Sequence, residues 1–114
     1  MSTFLQLVQS HNLQPADVIV VGRHNGLAAH YLIYMGSDYR GHWFMANLEQ
    51  GVSWLDEDYL HSRSHEFYFK RIRRFEGNHA QRQAALRRAT SRHGEAYSLV
   101  TFNCEHFANY VQYE

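Results

Sequence analysis

Apolar and polar positions alternate along this chain in two rhythms, one helical and one strand-like. Phe4, Leu5 and Val8 follow helical spacing behind Ser2 or Thr3 as a cap, predicting a short amphipathic helix over 3–11. Pro15, the only proline, ends that segment. Asp17 to Gly22 is β-branched and nearly all apolar, the pattern of a buried strand, and Arg23-His24-Asn25-Gly26 is turn chemistry. Leu27 to Met35 and His42 to Leu48 read as two further strands joined through Gly36–Gly41. Val52 to Leu55 suggests a fourth strand, Asp56 to Leu60 a helical turn, and Glu66 to Ile72 another strand. A helix rich in Ala, Gln, Arg and Leu follows from about His79 to Arg92, with Gly94 placed to stop it. The last helix runs from Cys104 to about Tyr113. The sum is an α+β domain spanning 1–114, a small antiparallel sheet packed against helices.

At 114 residues and 45% apolar content, the chain suits one domain with its own core. Its formal net charge is zero, so the strongly basic footprint of a nucleic-acid binder is missing and no nucleic-acid partner is expected. One cysteine excludes an internal disulfide. No basic n-region precedes an apolar stretch, and the apolar run Val18–Val21 is far short of the roughly 20 residues of a membrane span. The expectation is a soluble, cytoplasmic protein, with peripheral membrane contact left open. Nine cations between Arg63 and Arg92 face only Glu66 and Glu76 in that stretch. They read as a solvated helix face and a guarded edge strand, or as a docking surface for anionic head groups.

The chemistry concentrates at Asn103-Cys104-Glu105-His106-Phe107. Cys104 falls in the first turn of the last helix, where amides and the helix dipole favour a thiolate. Cys104, Phe107, Ala108 and Val111 share one stripe, so the thiol turns inward with the apolar part. Alternation puts His30 on one strand face with Leu32 and Tyr34. A loop centred near Gly36 or Ser37 sets His42 on that same face, directly or diagonally opposite His30 at about 5–8 Å; a two-residue turn at Ser37-Asp38 separates them. On this reading His30 takes the thiol proton, His42 orients His30, and the Cys104 amide stabilises an oxyanion. His106 points away from Cys104 and reads as structural. The duller readings are a cysteine that is a small buried hydrophobe, and a His30/His42/Cys104 zinc site, whose three ligands include no Cys-x-x-Cys or His-x-x-x-His pair. No cofactor and no metal are expected.

Asp17-Val18-Ile19, His30-Tyr31-Leu32-Ile33-Tyr34-Met35-Gly36, His42 and the Asn103–Phe107 string together resemble the lecithin retinol acyltransferase family. That family is a circularly permuted branch of the NlpC-type, papain-like thiol superfamily. The similarity runs from about Leu13 to Tyr113 and includes the twelve-residue step between the two histidines. It implies a papain-like domain with Cys104 as nucleophile, His30 as base and His42 as the polarising third member. It implies acyl transfer from a lipid ester, such as a phospholipid, through a thioester to water, an amine or an alcohol. Ala16 interrupts the family's Pro-Gly-Asp turn, and the expectation is of a chain without the hydrophobic anchor that commonly ends the family's lipid-modifying members. These departures keep two alternatives in view, a cysteine amidase or peptidase and a non-catalytic module retaining the fold.

Overall fold

A computed structural model describes residues 3–24, 29–98 and 102–114. The described elements are α1 (Thr3–Ser10), β1 (Val18–Arg23), β2 (His30–Asp38), β3 (Gly41–Leu48), β4 (Gly51–Asp56), α2 (Glu57–Ser62), β5 (Phe67–Arg73), α3 (His79–Ser91) and α4 (Cys104–Tyr113). The strands form one sheet in the order β4-β3-β2-β1-β5, each neighbouring pair antiparallel. The α+β expectation is met. Leu27 and Ala28, expected to open β2, lie outside the described residues, as do the side chains of Phe4 and Leu5.

The sheet is buried on both sides, because its three central strands are apolar on both alternating faces. Val18, Val20, Tyr31, Ile33 and Met45 meet Ala85 and Ala89 of α3 and Phe107, Ala108 and Val111 of α4. Ile19, Val21, Leu32, Tyr34, Phe44 and Ala46 meet Val8 of α1 and Leu60 of α2. The fold is therefore helix, sheet, helix, and the β2 side chains from Tyr31 to Met35 belong alternately to one layer and the other.

Helix starts follow local chemistry. Asp56 caps α2 by accepting the Tyr59 amide at 2.8 Å. Asn78 and Gln81 close a reciprocal capping box on α3, each bond 2.8 Å.

Asp17, 1% exposed, ties the layers together. Its carboxylate accepts the Gln14 amide at 3.0 Å and the Phe75 amide at 2.8 Å. Arg74 and Arg82 supply guanidinium donors at 3.2 and 3.4 Å, and Arg82 also holds the Pro15 carbonyl. One anion thus fastens the α1–β1 turn to the segment after β5 and to α3. Buried Gln112 does the same for α4, donating to the carbonyls of Ala16 at 2.8 Å and Arg73 at 3.0 Å and accepting from Arg73 Nε at 2.6 Å. Arg88 donates to the Tyr110 and Val111 carbonyls at the end of α4, as a cation does at a helix C-terminus.

These contacts revise the view of the basic stretch. Arg73, Arg74, Arg82 and Arg88 are spent on internal carbonyls, amides and Asp17, and Arg92 pairs with Glu95 at 2.9 Å. Lys70 and Arg71 lie exposed on edge strand β5, where charge discourages edge pairing. No helix among the described residues is long and apolar enough to cross a membrane.

Replacing Asp17 by Ala leaves two guanidinium groups and two amides without their shared acceptor. The expected cost is about 3–5 kcal/mol, read as a lower urea midpoint with little change in slope; a loss below 1 kcal/mol contradicts the role given to this carboxylate.

Candidate active site

Cys104 opens α4 as its first residue, and the cap is built from its neighbours. Asn103 Oδ1 accepts the His106 amide at 3.0 Å, while His106 Nδ1 accepts the Asn103 amide at 3.1 Å. His106 is structural, as expected. The stripe Cys104, Phe107, Ala108, Val111 is buried against the sheet, also as expected. The thiol donates to the Ala29 carbonyl at 3.3 Å, just ahead of β2.

The state of that thiol departs from expectation. Burial pushes its pKa up, outweighing the downward pull of backbone amides of Tyr31, Cys104 and Glu105; nearby Glu105 pushes it further up. The helix N-terminus does favour the anion, yet with 6% of the residue exposed, desolvation wins. In this arrangement Cys104 is a neutral thiol.

The histidines correct the sequence reading further. His30 does share the Leu32 and Tyr34 face, but α4 packs on the other one, with Tyr31 and Ile33. The His30 ring meets Phe67 edge-on at 5.4 Å, on the α1/α2 side of the sheet, while the sulfur sits on the α3/α4 side. Its pKa is lowered, first by burial and then by Arg23, so the imidazole is neutral at pH 7.

His42 joins the His30 face by an unforeseen route. The hairpin turns at Tyr39-Arg40, fixed by Asp38 Oδ1 accepting the Arg40 amide at 2.8 Å and by Gly41 at φ 124°. That two-residue turn alone would put the histidines on opposite faces. A bulge between Tyr34 and Gly36, with Gly36 at φ 103°, reverses the parity. The gain is only of face. His42 lies across from Ser37, seven residues along β2 from His30, about 20 Å away. The expected diagonal neighbours are not neighbours, because the strands run through the segment read as a loop. His42 instead shares a hydrogen bond with Tyr34 Oη at 2.7 Å through Nδ1 and donates its amide to Glu57 at 2.7 Å. The zinc alternative falls with the same geometry, since its three ligands do not converge.

One residue at this site was not legible as such. Asn47 is fully buried, and its Nδ2 donates to the Phe102 carbonyl at 2.8 Å, fixing the approach to Cys104. Tyr31 adds a second tether, its hydroxyl donating to Glu105 at 3.2 Å. Only alternation with Met45 hinted that Asn47 faces α4, and nothing in the sequence marked its partner.

A family model described as lecithin retinol acyltransferase matches residues 11–114. The chain belongs to that family, whose name denotes an acyltransferase. No curated protein and no solved structure matches it significantly.

The half-buried neutral imidazole makes a linked stability. Because the folded pKa of His30 lies below its unfolded value, the unfolded chain binds the extra proton first. The His30 contribution is complete above about pH 6.5 and is lost as pH falls through that value toward the folded pKa. Thermal melts of wild type and His30→Gln between pH 7.5 and 5 should converge toward acid; parallel curves would remove His30 as the source.

Proposed function

We propose, from family membership and from the seat of Cys104 at a capped helix start, that the chain is a thiol-dependent acyltransferase or acyl hydrolase. The sulfur attacks the carbonyl of an acyl ester, with a phospholipid as the favoured donor. The ester oxygen leaves as an alcohol once protonated, and a thioester remains on Cys104. Water, an amine or an alcohol then attacks that thioester and returns the thiol. The observation that carries this reading is the cluster of backbone amides around the sulfur, those of Tyr31, Cys104 and Glu105, which suits developing negative charge.

The reaction needs a base at the sulfur, and His30 is the candidate. The carbonyl that accepts the thiol proton belongs to Ala29, the peptide joined to His30. Side-chain period in a strand is two, and the β1–β2 register is regular at His30, so a one-residue bulge formed there, like the one at Gly36, would turn His30 to the Cys104 face. His42, held by Tyr34 and Glu57, keeps a supporting place in the β2–β3 hairpin. Exposed Lys70, Arg71 and Arg87 remain for contact with anionic surfaces.

A second reading is favoured by a specific observation. The thiol is neutral and the imidazole lies across the sheet, the arrangement of a module that keeps the fold without the chemistry. Intact mass after incubation with phosphatidylcholine separates the two. The enzyme reading expects an acyl adduct on wild type, none on Cys104→Ala, and formation slowed about 100-fold or more in His30→Ala. No adduct, with turnover of a short peptide amide, points to an amidase. No reaction with either substrate leaves the non-catalytic module.

Iodoacetamide labelling measures the resting state independently. Wild-type Cys104 should react more slowly than a free thiol at pH 7 and accelerate above about pH 9; fast labelling near pH 6 would show a thiolate that the burial argument denies.

A further inference from the structure

Three side-chain nitrogens among the described residues are buried without hydrogen-bond partners; Arg73 Nη2 is one, and the other two line one cavity. Those two are Arg23 Nε and His30 Nδ1. The cavity holds about 110 Å³, between the β3–β4 turn, α2 and the start of β5. That is room for several waters or one phosphate-sized group. Arg63 also lines it, and Phe67 walls the imidazole from one side.

Unpartnered buried donors are costly, and native proteins satisfy them with protein, water or a ligand. Among the described residues no acceptor bonds to either nitrogen. Glu66 reaches Arg23 only at Nη2, at 3.9 Å, leaving Nε aimed elsewhere. Glu49 is the one carboxylate on the lining and opposes an anion, but Arg23 and Arg63 outnumber it. A guanidinium Nε–H, an imidazole that donates through Nδ1 in its Nδ1–H tautomer or when protonated, and a second guanidinium around a small space make a donor set for an oxyanion.

We propose that this cavity binds a phosphate-class oxyanion, held by Arg23 Nε and His30 Nδ1 with Arg63 beside them. The bound group is either free phosphate or the phosphate of a lipid headgroup. The site does not use Cys104, so the assignment goes beyond the acyl-transfer reading; it does hold the imidazole that reading needs at the sulfur, so an occupied cavity and a His30 turned to Cys104 are alternative states. The local electrostatics give a readout. Burial, then Arg23, depress the His30 pKa, while Glu49 and Glu66 raise it and Arg63 lowers it. A bound oxyanion offsets the two cations and favours the protonated ring.

The test is a pH titration of the histidine ring signals by NMR. In chloride, the His30 midpoint should lie below its ordinary value of about 6.5. Saturating inorganic phosphate at matched ionic strength should raise it to that value or above. The rise should persist in Cys104→Ala, disappear in Arg23→Met and weaken in Arg63→Gln. Arg63 is exposed, so its variant stands as the check should Arg23→Met lose its dispersed amide spectrum. Movement with phosphatidate vesicles alone assigns the headgroup as the source, and movement with phosphate assigns the free ion. An unmoved midpoint under both, or an undiminished rise in both arginine variants, leaves a water-filled cavity and overturns the proposal.

Discussion

The fold depends on one buried anion. Asp17 sits at the start of β1 with almost no solvent, so its charge is tolerable only while several donors converge on it. Those donors come from the turn after α1, the segment following β5, and α3. Because they are distant in sequence, satisfying one carboxylate fixes the mutual position of three parts of the chain. Gln112 then extends the same logic to α4, and α4 carries the cysteine. The place of the thiol is thus set by polar accounting at the far end of its own helix as much as by the cap beside it.

Two forces compete at Cys104. A helix start offers amides that favour a thiolate, and burial against the sheet penalises any charge. Burial prevails in this structure. The imbalance is a property of the closed packing around the sulfur, made by Tyr31, Phe107 and the Ala29 carbonyl. An acyl donor able to reach the sulfur must open that packing, and the same opening restores weight to the amides. The two histidines meanwhile occupy separate niches on the opposite layer, one against Phe67 and one against Tyr34. In this chain Cys104 and His30 are therefore divided by the thickness of a sheet.

Much of the fold was legible residue by residue. The strand over Val18–Val21 and the two terminal helices follow from periodicity, and Asn78 and Asn103 cap α3 and α4. The inward turn of Cys104 and the structural part of His106 came from helical phase alone. The hairpin between β2 and β3 was misread as a loop because Gly36, Ser37 and Asp38 look like turn residues. They serve instead a bulge and a strand end, with the reversal one step later. The nine cations looked like a surface feature because charge carries no label for an internal partner. Arg73, Arg82 and Arg88 have partners more than twenty positions away.

The sequence by itself determined the elements, the family and the inward-facing seat of the single cysteine, since local spacing and a specific motif suffice for each. Only the tertiary structure decided which face of the sheet α4 covers, and therefore whether His30 meets Cys104. A strand side chain changes sides with a single residue of register. Register is set by turns, bulges and packing that no stretch of sequence encodes alone.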